Sequence, residues 1–556
     1  MNIKEDISMD NSLLRTKKVL AVCMETTAGG KNYSGGLGAL YGDTTRTMHR
    51  LGADYLAVTP LYRNGYVQQS VTENGVIDEY PEQNLADDYT DTGSILSIPL
   101  LGKEIKVRVW HNKVLTNHYG LDTYLTENGI YADLMNILYG EDGIAQFNGE
   151  AQRLMQEVIL GVGAIKLCEK LGYNFDILHL NEGHGIFASL YMLRKCIDEE
   201  KVSLEEAIQK VREKTVFTTH TPIAAGNKSR PIQMIIDLGA NLGFTYDELN
   251  YIGAGDSGYM FGSTVAALRL SKLANAVAFR HLETSVSLWE NVKRRCPIIY
   301  IDNGVDIVYW QDPLIRKAYE EHNQELLLSM HQQNKKKLVA EVSKRNGIKL
   351  DENSIIIGFA KRVIEYKRAN LIFNDVNQFE YFVNKYNLQI IFSGKTHPKD
   401  NNSKNILKSL YDMSKKYPKN VVFLQNYDTE VAGLMTKGCD VWLGNPRIPL
   451  EACSTSGMKA ACNGVLNLST LDGWWYKSAK DHVNGWTFGE KFSQDEHTDA
   501  MYLYDVLEND VFPAYEDKEV WSAMMMSSIY MADKDCSMDR MCRDYYAELY
   551  NAPFLE

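Results

Sequence analysis

The chain has 556 residues, a net charge of −13, and 45% hydrophobic and 24% charged residues, which is globular composition too long for one ordinary core, so two domains or more are expected. The acidic balance argues against a nucleic-acid or acidic-membrane partner, because phosphate backbones need a basic footprint, while local basic pockets for small anions stay allowed. Nine cysteines without Cys-x-x-Cys spacing suggest neither a disulfide framework nor a zinc site, and with no apolar run of membrane length and a polar start from Met1 to Lys18, a cytoplasmic location is expected.

Taken in order, Val19 to Met24 is a short apolar run suited to a buried parallel strand. The loop Thr27 to Gly38 follows, rich in glycine, and then a helical stretch from Asp43 to Leu51. Strand, glycine-rich loop and helix bring a backbone close to a phosphate or a sugar. Residues 94–110 alternate around Gly102 and predict a hairpin inserted on the first domain. Apolar residues at 154, 158, 162 and 165 predict an amphipathic helix that stops near Gly172. Three strand signals then each end in a polar group. Asp176 to Leu180 delivers Asn181-Glu-Gly-His184, Thr215 to Thr219 delivers His220, and Pro297 to Ile301 delivers Asp302-Asn303. In open parallel sheets ligands bind at the carboxyl ends of strands, so the two histidines and the asparagine are expected to converge on one crevice.

Between about Gln311 and Asn346 the pattern is charged and helical, and its Lys335-Lys-Lys337 run reads as the solvated face of a connector. A second strand–helix series begins at Ile355 to Ala360 and recurs at Leu388–Ser393, Asn420–Leu424, Cys439–Leu443 and Val465–Leu468. Alternating β and α in two halves predicts two Rossmann-like doubly wound domains facing a cleft. The expected bounds are 1–315 and 351–515, with a connector at 316–350 and C-terminal helices at 516–556 returning across the junction.

Two strings carry chemistry. Lys361-Arg-Val-Ile-Glu-Tyr-Lys-Arg368 follows a strand end, where four basic residues in eight read better as an anion pocket than as an exposed face. Pro449 to Trp475 follows the strand ending at Leu443. In it Ser454-Thr-Ser-Gly457 opens a helix whose free N–H groups and hydroxyls suit an anion, directly before Met458-Lys459.

The segment Glu451, Ala452, Thr455, Met458, Lys459, with Asn463-Gly464 and Asp472-Gly473 after it, resembles the α-glucan phosphorylases, most closely their short bacterial and archaeal members. Ser34-Gly-Gly-Leu-Gly38, Lys361 to Arg368, Gly444 to Glu451 and Asn484 to Gly489 extend the resemblance from about residue 19 to 489. It implies the two-domain GT-B glycosyltransferase architecture and pyridoxal 5'-phosphate held by Lys459 as a Schiff base. Lys361, Thr455, Ser456 and Tyr427 would complete the cofactor site. The resemblance assigns Arg362 and Lys367 to the substrate phosphate, and His220 with Asn303 to the sugar's primary hydroxyl. Glu451 is assigned to sugar hydroxyls, with His184, Tyr366, Gly35, Gly36, Cys453 and Ser454 as further substrate contacts. Catalysis would rest on Arg362, Lys367, His220 and Glu451, without a metal. The implied reaction is retaining phosphorolysis of a terminal α-1,4-linked glucose of glycogen or maltodextrin to α-glucose 1-phosphate. An α-glucan or maltooligosaccharide and inorganic phosphate would be the partners, and a homodimer the family's expectation.

A nucleotide-sugar-dependent transferase resembling glycogen synthase is the alternative, because the glycine-rich loop and the Lys-Arg string also serve a diphosphate. A non-catalytic glucan-binding relative would lack Lys459, Arg362 or Lys367, and all three are present. Cys453-Ser454 stands where the family commonly has Ser-Gly, the Glu25–Tyr33 loop is shortened, and Pro222 to Lys228 lacks a His-Asp pair. Ser454 is therefore expected to narrow sugar choice, with glucose still favoured.

Overall fold

Val19–Val22 is buried at all four positions, as an apolar run without alternation requires of a strand covered on both faces. In the computed structural model, which describes residues 11–140, 143–144, 147–223, 226–255, 258–490 and 495–554, this strand lies between Tyr55–Pro60 and Ile177–Asn181 and is parallel to both. Met1 to Asp10, and Ala224 and Ala225 within the Pro222–Lys228 stretch, lie outside the described residues.

The first sheet has nine strands. Beyond Ile177–Asn181 come Thr215–Thr218, Leu273–Ala276 and Ile298–Tyr300; beyond Tyr55–Pro60 come His118–Asp122, Lys103–Asn112 and Tyr89–Leu100. The last two pair antiparallel. They are the expected hairpin, but they extend the sheet edge rather than standing on it as an insertion. The helix Gly149–Leu171 starts at Asn148, whose side chain accepts from the Ala151 N–H, and stops at Gly172 with φ 64°. Its polar Gln152, Gln156 and Glu157 are buried along with its apolar residues, so it is a core helix rather than the amphipathic one expected.

The second sheet has six parallel strands in the order Val421–Leu424, Gln389–Ser393, Ile356–Ala360, Val441–Gly444, Leu466–Ser469, Gly485–Thr487. Strand order reverses between Ile356–Ala360 and Val441–Gly444, and in the first sheet between Val19–Val22 and Ile177–Asn181. Doubly wound sheets open their binding crevice at this kind of position. Two such sheets, both mixed with helices, are the α/β architecture expected.

The helix Gln324–Asn346 packs against Thr429–Gly438, and here the solvated-connector reading is corrected. Lys335 is fully buried, with its Nζ 2.6 Å from Asp440 Oδ2 and 3.0 Å from the Tyr515 hydroxyl. One lysine of the run turns inward because a carboxylate waits there.

Two segments join the halves. The hairpin Gln68–Thr72 and Gly75–Glu79 leaves the first half and seats Val71 in the core of the second. Gln69 Oε1 accepts from the Thr396 N–H at 2.8 Å, and Lys404 Nζ meets Asp78 Oδ2 at 2.6 Å. In return, Tyr545, Tyr546 and Tyr550 from the end of the chain pack with Val19, Ala21, Tyr41 and Tyr55 under the first sheet.

Candidate functional site

Loops at the carboxyl ends of both sheets enclose one cavity of about 480 Å³. All the residues singled out in the sequence line it: Lys361, Arg362, Tyr366, Lys367, Tyr427, Glu451, Cys453, Ser454, Thr455, Ser456 and Lys459 from the second half, and Gly35, Gly36, His184, His220 and Asn303 from the first. Strand ends far apart in sequence meet here because both sheets present their carboxyl edges to the cleft.

The Lys361–Arg368 string is not an exposed face: Lys361, Lys367 and Arg368 are buried. Arg368 is structural, donating to the carbonyls of Asn445 and Pro446 at 2.9 and 3.1 Å and to Asp499 Oδ2 at 2.5 Å. Lys367 Nζ pairs with Glu451 Oε2. Burial alone would lower the Lys367 ammonium, but the Glu451 carboxylate outweighs it and holds lysine above its ordinary range. Two residues assigned to different parts of the ligand thus neutralise one another. Lys361 has no such partner: its Nζ donates to the Leu443 carbonyl at 3.2 Å, and burial, with Lys367 nearby, lowers it to about 7. Arg362 is exposed within the cavity lining and pairs with no carboxylate among the described residues.

The depressed Lys361 makes anion binding proton-linked. A bound anion favours the ammonium, so a proton is taken up where the free amine is largely neutral, and affinity falls as pH rises above 7. Sulfate, which does not titrate there, should bind the cofactor-free chain at pH 8 with uptake of about one proton. Calorimetry in buffers of different ionisation enthalpy reads this directly, and Lys361→Arg should abolish it; an unchanged proton count in that variant would place the linkage elsewhere.

On the opposite wall, burial lowers His220 to about 3, with His281, His179 and His184 adding to the effect, so the imidazole is neutral at pH 7. Its Nε2 and Asn303 Oδ1 are buried without a hydrogen-bond partner among the described residues. Arg153 Nη2 donates to His184 Nε2 at 2.9 Å, which puts the His184 proton on Nδ1, also without a described partner. Buried polar atoms left unpaired are costly, and three of them on residues around one cavity suit a ligand rich in hydroxyls.

Two carboxylates that the sequence reading passed over organise this wall. Glu25 accepts from the Ser34 N–H at 2.7 Å, the Ser34 hydroxyl at 2.8 Å, the Gly35 N–H at 3.3 Å and the Tyr139 hydroxyl. It therefore occupies the first amides of the glycine-rich loop, which are closed to an incoming anion. Glu182 accepts from the His220 N–H at 2.6 Å and the Thr221 hydroxyl at 2.9 Å. Both stand just past a recognised strand, which was the available signal. Lys395, after Gln389–Ser393, also lines the cavity, and burial lowers it to about 8.

Ser454 takes φ 67° and ψ 66°, the left-handed region that favours glycine. A glycine would adopt this backbone without the steric cost that the serine bears. The hydroxyl does not cap the helix Thr455–Ala461, and Ser456 Oγ accepts from Trp442 Nε1 at 3.3 Å. Asp472 takes the N–H groups of Glu451 and Gly473, each at 2.9 Å, and burial raises it to about 7. Asn303 is held from behind: Arg540 Nη2 donates to the carbonyls of Asp302 and Asn303 at 2.6 and 2.9 Å.

Two doubly wound halves, with a cationic patch facing neutral imidazoles across a cleft, define a sugar-transferring enzyme. The profile of carbohydrate phosphorylases matches residues 312–494, and that of the starch synthase catalytic domain matches residues 18–287. The chain is 33% identical to maltodextrin phosphorylase of Thermococcus litoralis, over 96% of this chain and 70% of that protein. It is 32% identical to glycogen phosphorylase of Aquifex aeolicus, over 93% and 84% of the two chains. It is also 29% identical to an uncharacterized protein of Methanocaldococcus jannaschii, over 94% and 96%. The chain belongs to the glycogen and maltodextrin phosphorylase family. No helix among the described residues is long and apolar enough to cross a membrane.

Proposed function

We propose that this enzyme is an α-glucan phosphorylase that releases terminal α-1,4-linked glucose from glycogen or maltodextrin as α-glucose 1-phosphate, reversibly and with retention. A phosphate oxygen bonds to the anomeric carbon, the glycosidic C–O bond breaks, and the proton that phosphate carried passes to the leaving 4-oxygen. The observation that carries this reading is the cavity itself. Lys361, Arg362 and Lys367 face it from one side, and the neutral His220 with Asn303 from the other. A nucleotide-sugar transferase is the weaker reading, because the cavity also holds a buried lysine suited to an aldehyde.

That lysine is Lys459. Burial lowers it to about 8, so a neutral amine is populated near neutrality. Its surroundings fit pyridoxal phosphate, with Lys459 to hold the aldehyde and Lys361, Thr455, Ser456 and Tyr427 to hold the rest. When bound, the cofactor supplies a phosphate with a second ionisation near ~6, suited to exchanging a proton with the substrate phosphate. Arg362 then offers a planar fork to the substrate phosphate, and Lys367, released from Glu451, adds a second charge. Glu451 is freed for sugar hydroxyls, where Tyr366, Cys453 and Ser454 are neighbours. His220 and Asn303 take the primary hydroxyl, His184 closes the sugar wall, and the Gly36 backbone, beyond the amides that Glu25 occupies, lets the phosphate approach. The first half would hold the glucan, and two copies of the chain would form the dimer.

Borohydride reduction of the purified protein should fix a pyridoxyl group on the peptide containing Lys459. The same preparation should release glucose 1-phosphate from maltooligosaccharides only with phosphate present. Active protein free of pyridoxal would sink the phosphorylase reading. A panel of sugar 1-phosphates on wild type and Ser454→Gly separates the substrate claim from the cofactor claim: glucose 1-phosphate is expected to remain the best donor, with Ser454→Gly shifting preference.

A further inference from the structure

A carboxylate of the first half reaches the lysine of the second through one indole. Asp43, on the helix Gly36–Arg50, is 1% exposed. Its Oδ1 is held by Arg46 Nη2 at 2.5 Å, and its Oδ2 accepts from Trp310 Nε1 at 2.8 Å and from the Asp306 N–H at 3.3 Å. Arg46 is anchored in turn on the Thr27 carbonyl at 3.0 Å. Trp310 is buried, and its ring centroid lies 3.8 Å from Lys459 Nζ. Asn463 Nδ2 donates to the carbonyls of both Trp310 and Lys459, at 3.1 and 2.9 Å, so one amide ties the two backbones together. The indole is thereby fixed at both ends, by a carboxylate on its N–H and by the lysine on its face.

An indole that donates to a carboxylate has a more electron-rich ring, and an electron-rich ring holds an ammonium more firmly in a dry site. We propose that Asp43 is a positioning residue for Lys459: by orienting and polarising Trp310 it sets how readily the amine takes up an aldehyde. The role of Lys459 as the cofactor lysine comes from the reading above; the test of Asp43 does not depend on it. The charged groups that bear on Lys459 are Asp43, which favours its ammonium, and Arg46, which opposes it, with the Cys462 thiol on its own segment. Asp306 stands beside Asp43 and is raised to about 6 by burial and by that neighbour.

The experiment is reductive methylation of the full-length chain after removal of cofactor, with modification at Lys459 followed by peptide mass against pH. Lys395, in the same cavity but away from Asp43, is the internal reference. Asp43→Asn should make Lys459 about fivefold faster to modify at pH 7 relative to Lys395, because more of the amine is neutral. Trp310→Phe, which keeps a ring but removes the N–H donor, should shift it in the same direction, and the double variant should be no faster than the faster single one. Unchanged Lys459 modification in Asp43→Asn overturns the proposal, and so do effects that multiply in the double variant, since Asp43 would then act without the indole. If Asp43→Asn does not fold, Trp310→Phe decides alone, and an unshifted profile overturns it. Should borohydride fix no pyridoxyl on Lys459, the cofactor assignment fails while this measurement still reads the coupling.

Discussion

Arg362→Ala is expected to lower kcat/KM for phosphate and for glucose 1-phosphate by about 10²–10³-fold, with thermal stability and pyridoxal content unchanged. The side chain reaches the cavity from the end of Ile356–Ala360 and pairs with no carboxylate among the described residues. Its removal therefore strands no buried partner and costs the fold little. What it removes is a forked, charge-assisted contact to a dianion, beside a lysine that burial has already lowered to about 7. Arg362→Lys should recover only part of the loss, because a point charge cannot meet two oxygens in one plane. Full turnover in the alanine variant would make this arginine a solvated surface group.

Lys367 and Glu451 should behave in the opposite way, with stability and activity separable. Lys367→Met leaves the Glu451 carboxylate buried and unpaired, 6% exposed, near an Asp472 already raised to about 7. Breaking one side of such a pair costs about 3–5 kcal/mol. Lys367→Met combined with Glu451→Gln removes both charges and should regain most of that stability, while turnover stays lost in single and double variants alike. Denaturant midpoints and phosphorolysis rates measure the two effects independently. If the double variant is as unstable as the single one, the pair is not the source of the cost.

Much of this site was legible because its residues follow strands. Val19 to Met24, Asp176 to Leu180 and Ile355 to Ala360 are apolar runs bounded by glycine or charge, and each hands its next polar residues to the cleft. Tyr55–Pro60 and His118–Asp122 also went unread, and other strands that escaped are short or plain. Leu273–Ala276 reads Leu-Ala-Asn-Ala, without a β-branched residue, and Gly485–Thr487 opens on glycine; packing between neighbours, not propensity, makes them strands. Glu25 and Glu182 were passed over because their partners are backbone amides, which leave no trace in residue identity, and hydroxyls that only the fold brings near. Lys335 misled for a related reason: nothing in Lys335-Lys-Lys337 tells which lysine will find Asp440, about a hundred residues later. The pairing of Lys367 with Glu451 likewise appears only when two loops are folded together.

The tyrosines that close the core beneath the first sheet bear on the order in which the protein is made. Tyr545, Tyr546 and Tyr550 sit among Val19, Ala21 and Tyr55, and Lys272 Nζ donates to the carbonyls of Tyr550 and Ala552, at 2.8 and 2.9 Å. A ribosome delivers the first-sheet strands hundreds of residues before these partners emerge. The early half therefore waits, strands paired but one face unsealed, while the second half, whose six strands lie between Ile356 and Thr487, can collapse as a local unit. The same passage of chain that seals the sheet also brings Arg540 to the loop carrying Asn303. The sugar wall is complete only once the segment carrying Arg540 has docked.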